Sequence, residues 1–127
     1  MLFVCYPKCG TCKKAEQYLK ENNLSVEKRD IKQDNPRVEE LTTWHKTSKL
    51  PLKRFFNTSG LQYKNLQLKD KLPQLTEQEQ LELLASDGML VKRPLLIGPD
   101  FVLVGFKEEE WSNIIKQLQK ITTRGKR

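Results

Sequence analysis

Two cysteines, Cys9 and Cys12, have the spacing and the setting that thiol chemistry requires. They lie in residues 7–14, which join a short apolar run to a helical pattern. A thiolate is the reactive form of cysteine, and the unpaired N–H groups and dipole at a helix start stabilise it. Two intervening residues let both sulfurs meet on the first helical turn. The pattern predicts a redox-active pair, with Cys9 as the accessible nucleophile and Cys12 as the resolving thiol.

The neighbours of the pair add positive potential, and two other interpretations stay open. The residues beside the cysteines that we expect to bind substrate are Lys8, Gly10, Thr11 and Lys13. The motif could be half of a zinc site, but Cys5 and His45 are the only further cysteine and histidine, and zinc usually takes four ligands; we expect no metal. Alternatively, the cysteines could be inert packing residues, which is the role we expect for Cys5.

The order of elements predicts how these residues are positioned. An apolar run at 2–6, a helical pattern from Thr11 and a second run at 25–31 have the length of a βαβ unit with parallel strands. Two apolar runs at 95–97 and 101–106, joined by a Gly-Pro-Asp turn, predict an antiparallel hairpin. The fold class is therefore α/β: a thioredoxin-like four-stranded mixed sheet with an all-helical insertion. We expect one domain, made of βαβ 1–31, helical insertion 35–88, ββα 93–121 and a basic tail 122–127.

Caps and periodicity predict the helices within this plan. Residues 34–36 cap a helix over 37–45, and residues 63–72 form a short lysine-rich helix. Thr76 and Glu79 have the spacing of a capping box that begins another helix. The last helix runs over 108–121, with acidic residues in its first turn and an apolar stripe along one side.

Composition and charge limit the class of protein. The 127 residues are 37% hydrophobic and 31% charged, which suits one soluble globular domain. No apolar run is long enough for a membrane span or a signal peptide, and three cysteines are the wrong count for a disulfide-stapled secreted domain. We expect a cytoplasmic monomer with no membrane partner. The net charge of +7 favours acidic partners or anionic substrates and raises the question of nucleic-acid contact.

Arg93 and Pro94 form a second candidate set for the site. In thioredoxin-like folds a proline, commonly after a cis peptide bond, precedes the strand opposite the active-site helix and faces the cysteine pair. Pro94 has that place before the run 95–97. Arg93 would then point a permanently charged guanidinium toward the thiolate or a bound oxyanion. The alternative is a surface arginine before a strand-edge proline.

Together, several segments resemble the arsenate reductase family, which also includes the Spx- and MgsR-like regulators. The resemblance covers nearly the whole chain and implies a thioredoxin-like domain with a helical insertion. The segments that carry it are residues 9–15, 55–60, 84–97 and 104–106.

In reductases of this family, a cysteine of the first helix attacks arsenate, arginines hold the oxyanion, and glutathione with glutaredoxin resolves the intermediate. The resemblance places Cys9 at the family cysteine and Arg93 at the arginine of an Arg-Pro motif. The family carries a further arginine in its middle segment, and the resemblance places that position at Lys53 or Arg54 of this chain. We take Arg54 as the binding residue. The sequence departs from the reductases on the hairpin, where they carry a further arginine and residues 102–106 contain none.

Cys12 makes the motif resemble the C-x-x-C of Spx-type proteins, where the pair is a redox switch and the protein binds RNA polymerase. That contact is with the C-terminal domain of the polymerase α-subunit, so we expect no direct nucleic-acid binding. The first hypothesis is a thiol–disulfide oxidoreductase that resembles arsenate reductase and acts on a small oxyanion or on a protein or glutathione disulfide. It needs no bound cofactor, and glutathione with glutaredoxin, or thioredoxin, is the expected reductant. The alternative is an Spx-like redox-switched transcriptional regulator; a thiol-binding module without turnover is a third candidate.

Overall fold

Four short strands form one mixed sheet in the computed structural model, which describes the backbone of residues 1–125 and the side chains up to residue 119. The sheet order is β2-β1-β3-β4. Strand β1 pairs in parallel with β2 and antiparallel with β3, and β3 pairs antiparallel with β4. The predicted four-stranded mixed sheet is therefore confirmed. The strands are β1 (Leu2–Cys5), β2 (Glu27–Asp30), β3 (Leu95–Ile97) and β4 (Val102–Val104).

Six α-helices surround the sheet in the described part of the chain, and four of them lie between β2 and β3. Within residues 1–125, no helix is both long and apolar enough to cross a membrane. The side chains of the predicted basic tail, 122–127, lie outside the described residues. The helices are α1 (Gly10–Glu21), α2 (Val38–Ser48), α3 (Leu61–Asn65), α4 (Leu68–Lys71), α5 (Glu77–Ser86) and α6 (Glu108–Gly125).

Alternating side chains of β1 supply two cores, one on each face of the sheet. Phe3 and Cys5 belong to a cluster that includes Cys12 of α1 and Trp111 of α6. Val4 points to the opposite face, into a larger cluster formed with the helices between β2 and β3. Helix α1 is therefore anchored on the sheet by its buried face, and its first turn is held in a fixed position.

The approach to α2 differs from the sequence prediction. The helix is longer than the predicted 37–45 and its N-cap is Arg37, so the predicted cap by residues 34–36 is wrong. A carboxylate oxygen of Glu40 accepts from the Arg37 N–H at 3.1 Å, which supplies the cap from within the helix. Asn35 instead donates to the carbonyl of Ala85 at 2.7 Å and ties this turn to α5.

Other element ends shift for local reasons. The helix predicted within 63–72 is divided into α3 and α4 because Gln67 adopts a left-handed conformation, with φ of 54°. Gly105, with φ of 75°, follows β4, which is shorter than the predicted run 101–106. The capping box of Thr76 and Glu79 is confirmed, with reciprocal hydrogen bonds of 3.1 and 2.9 Å.

Candidate active site

Cys9 is the N-cap residue of α1, and Cys12 lies one turn along the helix. The Cys9 N–H donates to the carbonyl of Tyr6 at 3.0 Å, which closes the turn between β1 and α1. Cys9 is half-buried, whereas Cys12 is only 3% exposed. The Tyr6 N–H donates to the Cys12 sulfur at 3.3 Å, so the deeper thiol is held from the strand side. A reagent from solvent therefore meets Cys9 before Cys12.

The surroundings of Cys9 favour its thiolate. Partial burial alone would raise the pKa of this thiol, but donors at the helix start outweigh it and hold the pKa below its ordinary value. These donors are the N–H of Cys12, the Cys12 thiol and the N–H of Thr11, and the charge of Arg93 acts in the same direction. Placement at a helix N-terminus thus makes Cys9 the more reactive thiol.

The surroundings of Cys12 have the opposite effect. Burial is the main cause that raises the pKa of Cys12 to about 12, and its hydrogen bond to the Cys9 sulfur adds to the rise. The Tyr6 N–H lowers this pKa without offsetting burial. Burial also raises the pKa of Cys5, which lies in the same core cluster. At neutral pH the reduced pair therefore consists of a Cys12 thiol that donates to the Cys9 sulfur.

Arg93 stands over the turn that carries the cysteines. The Arg93–Pro94 peptide bond is cis, and the Pro94 carbonyl accepts from the Gly105 N–H at 2.8 Å. The guanidinium lies over the ring of Tyr6, with 5.3 Å between its central carbon and the ring centroid. Its Nε and Nη1 atoms are buried and have no hydrogen-bond partner among the described residues. An anion bound here would supply the missing acceptors.

A cavity of about 380 Å³ lies against this guanidinium and the first turn of α1. Its walls include four cationic side chains and no carboxylate: Arg54, Lys92, Arg93 and Lys107. Thr11 supplies the wall toward Cys9, and Gly105 and Phe106 supply the hairpin side. Such a cluster of positive charge suits an anionic ligand.

Arg54 reaches this cavity because the helical insertion is tied to the segment before β3. The Lys92 N–H donates to the Phe55 carbonyl at 2.7 Å, and Phe56 forms an isolated antiparallel bridge with Val91. These bonds bring the 3₁₀ turn Leu52–Phe55 beside Arg93. Of the two middle-segment candidates, the structure places Arg54 in the cavity with Arg93 and turns Lys53 toward neighbouring cavities.

The other predicted binding residues lie around the cavity rather than in it. Lys8 is exposed in the turn before α1, and Gly10 begins the helix with open space where a Cβ would project. Lys13 lines a separate groove together with Tyr18 and Phe106. The structure therefore brings together Thr11, Arg54 and Arg93, and it does not bring Lys13 to the same cavity.

Three site residues escaped the sequence analysis. Lys107 lies one residue beyond the hairpin residues 102–106, which contain no arginine, and Lys92 directly precedes the Arg-Pro pair. Tyr6, which ends the apolar run, is the residue that Arg93 stacks on. The adjacency of Lys92 to Arg93 was a usable signal, whereas the place of Lys107 depends on how the hairpin turns back to the cavity.

His45 does not take part in this site. Its Nδ1 atom lies 3.1 Å from a carboxylate oxygen of Glu77, and its ring packs edge-on against Phe55. Among the residues that the structure describes, no three histidine, cysteine or acidic side chains are grouped so that they could hold a metal ion.

Comparisons with known proteins agree with this geometry. The model of the ArsC family matches residues 5–114, which span nearly the whole chain. The chain belongs to the ArsC family. YusI, an uncharacterized protein of Bacillus subtilis, is 50% identical over 111 residues, which cover 87% of this chain and 94% of YusI.

Solved ArsC-family structures show the same fold. A crystal structure of an ArsC family related protein from Bacteroides fragilis superposes with a TM-score of 0.86 and 57% identity, over 88% of this chain and 94% of that one. A possible arsenate reductase from Streptococcus mutans superposes with a TM-score of 0.80 and 43% identity, over 87% of this chain and 96% of that one. These neighbours confirm the predicted thioredoxin-like architecture.

Two proteins that are named as regulators are more distant relatives. The regulatory protein MgsR of Bacillus subtilis is 26% identical over 92% of this chain and 91% of its own length. The global transcriptional regulator Spx of Enterococcus faecalis is 28% identical over 82% of this chain and 77% of its own length. The predicted resemblance to both branches of the family is therefore confirmed.

Proposed function

We propose that this ArsC-family protein is a thiol–disulfide oxidoreductase in which Cys9 is the nucleophile and Cys12 the resolving thiol. The observation that carries the proposal is the asymmetry of the pair. Cys9 is half-exposed with a lowered pKa, and Cys12 is buried, protonated and hydrogen-bonded to it. The cationic cavity beside Cys9 supports a substrate that bears negative charge, either a small oxyanion or the disulfide of a protein or of glutathione.

The first chemical step on a disulfide substrate uses the Cys9 thiolate. Its sulfur attacks one substrate sulfur, a bond forms between them, the substrate S–S bond breaks, and the second substrate sulfur leaves as a thiolate. Arg93, whose charge favours the Cys9 thiolate, faces this leaving charge from the cavity side.

Formation of the mixed disulfide activates Cys12 for the second step. Burial, the main cause that raises the pKa of Cys12, is unchanged, but the Cys9 sulfur then carries no charge, so its hydrogen bond and repulsion no longer add to the rise. The Tyr6 N–H at 3.3 Å remains to stabilise a Cys12 thiolate. Cys12 gives its proton to solvent and attacks the Cys9 sulfur; the Cys9–Cys12 disulfide forms, and the bound substrate sulfur leaves as a thiolate, which takes up a proton from solvent. Cys9 therefore reacts first, because its thiolate is favoured, and Cys12 reacts second.

An oxyanion substrate such as arsenate would use the same groups. The Thr11 side of the cavity adjoins Cys9, and Arg54 and Arg93 can each donate two parallel hydrogen bonds to oxyanion oxygens. Cys9 displaces hydroxide from arsenic(V). Attack by Cys12 or an external thiol on the Cys9 sulfur then passes two electrons to arsenic, which leaves as arsenite. Lys92 and Lys107 supply positive charge on the side where the hairpin has no arginine.

The remaining predicted residues have supporting roles in this proposal. Pro94 holds Arg93 at the cavity, and Lys8, Gly10 and Lys13 form the exposed approach to Cys9. A thiol reductant of the glutaredoxin or thioredoxin class returns the Cys9–Cys12 disulfide to two thiols, and no bound cofactor is needed. Such reductants act in the cytoplasm, where we infer that the protein works.

The second candidate is a redox-switched regulator. It is favoured by the similarity to MgsR and Spx, whose names describe regulatory proteins. In that case the same disulfide forms, but its effect is to change a surface that binds a protein such as RNA polymerase, through the C-terminal domain of its α-subunit. Both candidates need the thiol pair, and only the first needs turnover.

Turnover assays with matched variants separate the two candidates. Reduction of arsenate and of a small disulfide is measured with glutathione and glutaredoxin, or with thioredoxin, as the electron source. We expect Cys9→Ser to abolish turnover and Cys12→Ser to slow it, while Cys5→Ser leaves it close to wild type. A reversible Cys9–Cys12 disulfide without turnover on either substrate would instead favour the regulator.

A further inference from the structure

Three neighbouring cavities lead from Thr11, two residues beyond Cys9, across the helical insertion. The cavity beside Cys9 shares Arg54 and Lys92 with a second one of about 290 Å³. The second shares Lys53 with a third of about 250 Å³ beside α3 and α4. The rings of Phe56 and Tyr63, one from each of these outer cavities, lie 6.3 Å apart. The three cavities therefore adjoin one another in succession.

The polar walls of all three cavities carry only positive charge. No carboxylate lines any of them. Within the described residues, none of their cationic side chains forms a salt bridge. Elsewhere Lys28, Arg29 and Arg37 do have acidic partners. We call these cationic residues the basic track: Lys53, Arg54, Lys69, Lys92, Arg93 and Lys107.

The far part of the basic track also offers apolar surface. Proline and aromatic side chains contribute to the outer cavities, among them Pro51, Phe56 and Pro73. Leu72 and Tyr63 line the third cavity as well. A polypeptide can use both the charge and the apolar surface, whereas a phosphate backbone uses mainly the charge.

We propose that the substrate disulfide is carried by an acidic polypeptide segment that lies along the basic track, with its reactive sulfur at Cys9. The proposal rests on the proposed function and names its substrate class. The exchange is the one given above: the Cys9 sulfur bonds to the peptide sulfur, and the peptide's former partner sulfur leaves as a thiolate. Unpaired cations in a cleft attract an acidic segment before it docks and speed its association.

Peptides that differ only in the charge of their tail test the proposal. Each has one cysteine activated as a disulfide with 2-thiopyridine, followed by a tail of about eight residues, long enough to span on the order of 25 Å. The tails are rich in aspartate, serine or lysine. Release of thiopyridone by the reduced protein gives a second-order rate constant. We expect the aspartate tail to react about tenfold faster than the serine tail, at the low end for charge-focused clefts, and the lysine tail to be slowest.

Charge-reversal variants locate the effect on the protein. Lys53→Glu/Lys69→Glu changes the part of the basic track remote from the cysteines and should bring the ratio of the aspartate-tail rate to the serine-tail rate down to about one or below. Lys32→Glu/Lys116→Glu is the matched control, because both lysines are exposed and line none of the three cavities. It should keep the preference. Circular dichroism checks that both variants are folded, and added salt should weaken the preference in the wild type.

Three results would overturn the proposal. They are equal rates for all three tails, an equal loss in the control variant, and tighter binding of a single-stranded oligonucleotide than of the aspartate peptide. Fluorescence anisotropy with a peptide that has serine in place of cysteine measures docking without chemistry. If the wild type releases no thiopyridone but still binds the aspartate peptide more tightly than the others, the proposed function is contradicted. The role of the basic track in docking is then still supported.

Discussion

At the residue scale, the environment of each thiol decides its role. Cys9 and Cys12 are chemically identical, and the N-cap position makes one acidic while burial makes the other a thiol with a pKa of about 12. Arg93 adds a charge that favours the Cys9 thiolate and has buried nitrogens without partners. One guanidinium therefore both favours the Cys9 thiolate and has buried donors that an anion could accept from.

Replacement of Arg93 by methionine tests this link. Arg93→Met keeps much of the apolar stem but removes the charge that lowers the pKa of Cys9. Because the thiolate is then less favoured, the pH at which Cys9 becomes reactive should rise and its alkylation at neutral pH should slow. The pH dependence of iodoacetamide labelling, followed by mass spectrometry at Cys9, measures this.

Arg54→Met is the control for that experiment. Arg54 lines the cavity but is not among the main groups that shift the pKa of Cys9. We expect it to weaken binding of anionic substrate and to leave the labelling profile of Cys9 unchanged. An identical shift in both variants would mean that the general field of the cavity, rather than Arg93, sets the reactivity of Cys9.

The sequence identifies site residues best where they belong to a short, local motif. Cys9, Cys12, Arg93 and Pro94 are each marked by spacing or by a dipeptide, and the structure places them around one turn. Lys107 was missed because its approach to Arg54 depends on contacts between distant segments, which no local pattern contains.

At the element scale, an ion pair fixes the helical insertion to the sheet. Arg29 of β2 makes two hydrogen bonds to the carboxylate of Glu40 on α2, at 2.6 and 2.9 Å. Its guanidinium also lies near the ring of Trp44, 5.9 Å from the centroid. Edge strand β2 and α2 are thereby joined at the end of the sheet away from β4.

Glu40→Gln should destabilise the protein in a pH-dependent way. The hydrogen bonds from Arg29 are the main cause that lowers the pKa of Glu40, so the carboxylate stabilises the fold above its unfolded pKa. That stability is lost as the pH falls through the lower, folded pKa. We expect the free energy of unfolding of the variant to be about 2 kcal/mol lower than that of the wild type at neutral pH, and this difference to vanish in acid. Urea unfolding across pH measures both.

Glu16→Gln is the matched control, because Glu16 pairs with a more exposed Lys28 at 2.6 Å. Its free energy of unfolding should fall by less than about 1 kcal/mol. Equal losses in the two variants would show that the Arg29–Glu40 pair is not special to the attachment of α2.

Element order was predictable from the sequence, and element ends were less so. The capping box of Thr76 and Glu79 is a short-range signal and was correct. The start of α2 was misassigned because Asn35, a good capping residue by type, is engaged by Ala85, fifty positions away. Gln67 divides the α3–α4 segment through a backbone conformation that its residue type does not indicate.

At the scale of the whole molecule, the site is assembled from parts that are far apart in sequence. The first turn of α1, the insertion and the hairpin each supply one wall of the cavity beside Cys9. The bond from the Lys92 N–H to the Phe55 carbonyl, at 2.7 Å, holds two of these walls together. The net charge of +7 predicted an anionic ligand or partner, and the structure shows where unpaired cations gather.

Trapping the attacking thiol tests whether Cys9 is the nucleophile. Reduced wild type, Cys9→Ser and Cys12→Ser are each treated with a small disulfide, quenched with acid and mapped by mass spectrometry. We expect a stable mixed disulfide on Cys9 in Cys12→Ser, an internal Cys9–Cys12 disulfide in the wild type, and little reaction in Cys9→Ser. A mixed disulfide found on Cys12 or Cys5, or one that persists on Cys9 in the wild type, would contradict these roles of Cys9 and Cys12.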